Sequence, residues 1–204
     1  MSSSIAVSGI AAQAFRLMEM SPISSFGDDS EQGISAADQY PVALDMCLEE
    51  NDWSFASRIV QLPEVIETAI DPDLVHAFAR PADLVRLLDV YPADVLFRLD
   101  ASHIRADAAG PLTIRYTQRV SDETRLPGLF KTAVAYRLAS LLAPRWTTSM
   151  NRAAELYKIS EDYIGKAKKS DRLSASGRRF DGRARGDDWV DAATAPLGGW
   201  WGAP

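Results

Sequence analysis

Leu112-Thr113-Ile114-Arg115-Tyr116-Thr117-Gln118-Arg119-Val120 and, shortly after it, Pro127-Gly128-Leu129-Phe130-Lys131-Thr132-Ala133-Val134-Ala135-Tyr136-Arg137-Leu138-Ala139-Ser140-Leu141-Leu142 carry two different periodicities. The first stretch alternates in part between apolar and polar residues and is the best strand signal in the chain. In the second, Phe130, Ala133, Val134, Leu138, Leu141 and Leu142 make one wide apolar helical face. Pro127 suits a first helical turn, and Pro144 is expected to close the helix. A strand and a strong helix so close together make the chain a mixed α and β protein.

Working outward, a further helix is expected over about 149–169, with Met150, Ala153, Tyr157, Ile164 and Ala167 inward. Before the strand, short extended stretches around Ile59, Val75, Leu84, Val95 and His103 are separated by Pro, Asp and Gly signals. They predict a small antiparallel sheet or sandwich over about 54–120. Ile10, Ala14, Leu17 and Met18 predict a first helix over about 5–20, ended by Ser21-Pro22. A second, over about 31–51, carries Ala37, Tyr40, Leu44, Cys47 and Leu48 on one stripe, and Pro41 inside it predicts a kink or a late start. These two helices read as an antiparallel hairpin. The expected fold is therefore α+β, mainly α. It has a four-helix bundle core, a small antiparallel β insertion projecting from it and an extended C-terminal arm. The body occupies residues 1–169 and the arm 170–204.

The chain has 204 residues, enough for one domain with a sizeable core. With 47% hydrophobic and 25% charged residues it is neither collagenous nor disordered throughout. The single Cys47 excludes an intrachain disulfide and a Cys-rich zinc site. No apolar run approaches the roughly 20 residues that span a bilayer, and the Ser-rich N-terminus lacks the charged region of a signal peptide. A protein made without export and with no membrane contact is expected.

Catalysis has little material. There is no G-x-S-x-G elbow, Walker loop, G-x-G-x-x-G turn or H-E-x-x-H helix. Cys47 lies on an apolar stripe and reads as a core residue, and His76 and His103 read as structural or surface residues. A hydrolase built on them would need a pocket that the pattern does not indicate. Asp28-Asp29 reads as a polar loop or cap instead of a metal site. No enzyme activity, cofactor or metal is expected.

The charge is uneven. Residues 1–164 carry 14 Lys/Arg and 23 Asp/Glu, whereas residues 165–204 carry 8 and 5. An acidic body is followed by a basic, Gly-rich tail that holds Phe180, Trp189, Trp200 and Trp201 among Arg178, Arg179, Arg183 and Arg185. Such aromatics serve as docking anchors, and arginine suits carboxylate partners. The alternative is a small nucleic-acid-binding accessory protein acting through this Arg/Gly-rich tail. Asp181, Asp187, Asp188 and Asp191 dilute that patch.

The order of features resembles a known family. Ala14-Phe15-Arg16-Leu17 leads to Ser21-Pro22-Ile23-Ser24-Ser25-Phe26, an acidic loop and a helix ending in Trp53-Ser54-Phe55-Ala56. Then come Arg80-Pro81-Ala82-Asp83-Leu84-Val85-Arg86-Leu87, Pro111-Leu112-Thr113-Ile114-Arg115-Tyr116 with Asp122, and Leu126 to Ala139 with the last helix. Over about residues 10–172 this collinear set resembles the bacteriophage head-to-tail connector adaptors of the tail tubular protein A, or gatekeeper, type. The resemblance implies a structural virion protein, made in the host cytoplasm. It implies a homo-oligomeric ring of twelve subunits below the portal protein, joined to a downstream tail nozzle or stopper. Genomic double-stranded DNA would pass through the lumen without sequence-specific binding. The expected portal-docking residues are Arg178, Arg179, Phe180, Arg183, Arg185, Trp189, Trp200 and Trp201; that role rests on tail chemistry, since the matched pieces end before them.

Overall fold

Helix boundaries follow from the groups that satisfy their free backbone ends. The computed structural model describes residues 8–23, 26–27, 29–66, 71–147 and 150–174. Helix α1 spans Gly9–Leu17, and the Ser8 side chain accepts the Ala11 N–H at 3.0 Å. It stops before Ser21-Pro22. Glu19 takes a left-handed φ of 61°, and the N–H groups of Met20 and Glu19 donate to the carbonyls of Phe15 and Arg16 at 2.9 and 3.0 Å. This is a Schellman ending built on a glutamate where glycine is usual. Helix α2 spans Glu31–Glu49 with Ser30 as its cap, and it continues through Pro41.

Seven strands follow among the described residues: β1 Ser57–Leu62, β2 Glu64–Val65, β3 His76–Ala79, β4 Leu84–Tyr91, β5 Phe97–Leu99, β6 His103–Ala106 and β7 Leu112–Gln118. They form two antiparallel sheets, β1-β7-β4 and β2-β3-β6-β5. The best strand of the sequence, β7, is the centre of the first sheet, with Val60 opposite Ile114 on one side and Val90 opposite Ile114 on the other. Helices α3 (Gly128–Trp146) and α4 (Met150–Ser174) complete the fold. Pro144 does not close α3. It lies in the last turn, where its missing N–H forfeits one helical bond, and Thr147 caps the end through the Ala143 carbonyl. Helix α4 runs to Ser174, past the expected limit at 169.

The core is not a four-helix bundle. Helix α3 is a hub on which α1, α2 and α4 each pack, and α1 and α2 do not form the expected hairpin against one another. The strands do not merely project from this layer. Leu84, Val90, Leu112, Ile114 and Tyr116 of the first sheet close on Phe78, Ile104 and Ala106 of the second, with Leu62, as a separate buried core. The fold is a mixed α+β arrangement with two cores, one helical and one between sheets. The nine-residue α1 packs on α3 beside α2 and α4, whereas the paired sheets bury alternate residues on their facing sides.

A polar seam joins the two layers. From the first sheet, Arg86 donates to the Glu49 carbonyl at the end of α2 (3.1 Å), and Arg115 bridges Asp52 and Asp89. Just beyond β7, Arg119 pairs with Asp45 of α2. Val85, on the same sheet, packs against the helical core.

Within the second sheet, Arg98 joins Asp71 to Asp100, and Arg105 also pairs with Asp100. The Arg98 bond, then the N–H groups of Asp73 and Leu74, lower the Asp71 pKa to about 2; Asp100 is lowered chiefly by Arg98. A carboxylate with a depressed folded-state pKa stabilises above its unfolded value, about 4, and loses that contribution as pH falls through the folded value. Thermal melts are therefore expected to show Tm falling between about pH 4 and pH 2. Asp71→Asn should flatten that fall, and an unchanged slope in the variant would refute the assignment.

Candidate interaction surfaces

The nucleophile and base candidates do not come together. Cys47 is buried in the helical core, and burial first, then the Glu50 and Glu161 charges, push its thiol up to about 12 against the opposing effect of Arg137. His76 contacts Glu64 at 2.7 Å and His103 contacts Ser102 at 2.8 Å, at opposite ends of the β3–β6 pairing. Tyr40, raised well above its ordinary range by burial and by Glu123, is a partner in a capping cluster: Tyr40 and Ser8 both donate to Glu123, which also receives the Ile10 N–H. Among the described residues no group of three His, Cys, Asp or Glu is placed to hold a metal, and no helix is long and apolar enough to cross a membrane.

Two kinds of exposed apolar surface stand out. Strand β5 is one edge of the second sheet, and among the described residues it pairs only with β6. Leu96 (67% exposed), Phe97 and Leu99 stand open there. Single exposed apolar residues are ordinary, but three together on an unprotected edge mark a contact surface. On the helical layer, Ile34 and Val42 of α2 are exposed on a different element.

A third feature is a cleft of about 210 Å³ where α4 meets the start of α3 and the Ser54–Ala56 turn before β1. Its floor is aromatic. Trp53, Phe55 and Phe130 sit with ring centroids 5.0–5.6 Å apart in tilted and edge-on geometry. Leu129, Gly128 and Pro127 form one wall, and Ala167, Ser170 and Asp171 the other. Asp171 accepts the Ser54 N–H at 3.1 Å and the Ser54 hydroxyl at 2.5 Å, fastening α4 to the turn. A Cβ on Gly128 would meet nothing within 4 Å, so space is left on that wall.

The expected docking residues Arg178, Arg179, Phe180, Arg183, Arg185, Trp189, Trp200 and Trp201 lie outside the described residues. The structure does relocate the charge. Residues 175–204 hold four arginines and four aspartates, so the positive excess of the C-terminal region belongs to Lys166, Lys168, Lys169 and Arg172 on α4. Lys168 there pairs with Glu50, and Lys166 lies over the Tyr163 ring. Cations in the last turns of a helix oppose its C-terminal dipole.

The cleft and the seam were missed from sequence because their members are far apart: Ser54 and Asp171 are separated by 117 positions, Asp45 and Arg119 by 74. The only local hint was the Trp53-Ser54-Phe55 cluster itself. The sequence matches no protein-family model and no curated protein.

Proposed function

We propose that the chain is a structural, non-enzymatic head-to-tail adaptor of a virion, assembling as a closed ring beneath a portal and lining the DNA passage. One observation carries this reading: exposed apolar residues stand on two different elements, Leu96, Phe97 and Leu99 at the β5 edge and Ile34 and Val42 on α2. A closed ring of identical subunits is built from heterologous contacts, which need two different, complementary patches on each copy. The collinear resemblance of the sequence to bacteriophage connector proteins supports the same reading. The acidic excess over residues 1–164 suits a wall past which a polyanion must move without adhering. In this reading segment 175–204, with its tryptophans, engages the portal.

The test is to mix the purified chain with a portal assembly of its own source and measure the mass and image of the product. A closed ring of about twelve copies on the portal is expected. Removing residues 175–204 should abolish portal capture. A chain that stays monomeric with the portal present overturns the ring, and undiminished capture without the segment overturns its docking role.

A further inference from the structure

We propose that the aromatic cleft at the end of α4 is the seat of the chain's own Phe180, so that the Arg178–Arg185 segment latches back onto the body that carries it. Three observations bear on the occupant. The cleft lies where the described chain ends: its α4 wall is Ala167, Ser170 and Asp171, and the described residues stop at Ser174, with thirty more in the sequence. From Ser174, six residues reach up to about 20 Å when extended, whereas α4 recedes only about 10 Å from Ser174 to Ala167, so Phe180 can return to the cleft without strain.

The size and chemistry also select an aromatic side chain. At about 210 Å³ the cleft is below the roughly 300 Å³ of small-molecule sites, and it accepts one ring. A fourth ring placed against Phe55 and Phe130 continues the tilted and edge-on contacts already present. The charge agrees. Phe180 is flanked by Arg178, Arg179 and Arg183, and the cleft wall carries the Asp171 carboxylate.

The short tether makes the contact intramolecular, at an effective concentration of order millimolar. The consequence is regulatory. A seated Phe180 holds the beginning of the C-terminal segment against its own subunit and leaves the tryptophans beyond it free to meet a partner. The latch is a property of one chain and stands whether or not the chain forms rings.

Disulfide trapping in the full-length chain tests it. Leu129→Cys on the cleft rim is combined with Arg179→Cys in one variant and Asp181→Cys in another, keeping Phe180 in place. Cys47 is left native, because its buried thiol resists ionisation. At least one pair should close within a single chain on mild oxidation. Adding Phe180→Ala should slow closure about tenfold, the factor expected for losing part of one buried ring. Gly128→Leu, which adds bulk to the cleft wall at a position where a Cβ meets nothing within 4 Å, should slow it likewise. Closure at an unchanged rate in both of these variants shows mere tethering and overturns the seat. Disulfides between chains overturn it in favour of a second copy, and no disulfide from either pair overturns it outright.

Discussion

Trp53→Ala is expected to lose about 3–5 kcal/mol of stability, the range for removing a large buried aromatic, and to lower Tm by roughly 10 °C or more in a chain of this size. Trp53 has no exposed surface and is the largest fully buried side chain. Its ring packs edge-on against Phe130 of α3 at 5.0 Å, and its indole N–H donates to the Cys47 carbonyl at 3.0 Å. That carbonyl is one of the four that the end of α2 leaves without helical partners. Helix α2 has no basic residue in its last turn, so Trp53 and Arg86 together supply the donors that its end requires. Trp53→Phe should keep most of the ring contact and lose the cap, costing about 1–2 kcal/mol. Thermal melts followed by circular dichroism separate the two variants; equal losses would mean that the indole bond contributes nothing.

The second large effect is asymmetric. Arg137 of α3 is 1% exposed, whereas its partner Glu161 of α4 is 40% exposed. The guanidinium also donates to the Ser160 hydroxyl at 3.1 Å and lies 4.2 Å from the Tyr157 ring centre. Removing the glutamate strands a cation in the core, while removing the arginine leaves a carboxylate that water already reaches. Glu161→Ala should therefore cost about 2–4 kcal/mol and Arg137→Met about 1–2, the methionine retaining the packed stem. Glu49 and Glu50 line the open groove beside Arg137 and keep the first figure below the upper limit for a broken buried pair. The double variant should recover much of the Glu161→Ala loss, since no buried charge then remains. Denaturant melts of the four proteins give the cycle, and Arg137→Met proving the more damaging single change would refute this account.

How much of this was legible depended on sequence separation. The apolar face of α3 is local, and so was readable. So was β7, whose buried Leu112, Ile114 and Tyr116 alternate. On α4 only Ile164 and Ala167 of the expected inward residues are buried: Met150 (72% exposed) and Tyr157 stand open, and Leu156 and Ser160 face inward instead. Boundaries were less legible. Pro144 was read as a helix stop and Pro41 as a kink or a late start, but α3 continues past 144 and α2 begins at Glu31, ten residues before Pro41, while α1 ended by a left-handed Glu19 instead of at Pro22. The cleft was not legible, because Trp53, Phe130 and Asp171 come from three distant segments.

By itself the amino-acid sequence determined that helices flank a run of short strands, that the chain holds one cysteine and two histidines, and that the body is acidic. Only the tertiary structure decided that the strands enclose a second core, that α3 is the hub of the helices, and that the positive excess near the C-terminus lies on α4. Periodicity states which face of a strand is apolar but not which surface that face meets. The choice between a projecting sheet and a closed sandwich rests on the first sheet's Leu62, Leu112 and Ile114 sharing one buried cluster with Phe78 and Ile104 of the second, which no local pattern encodes.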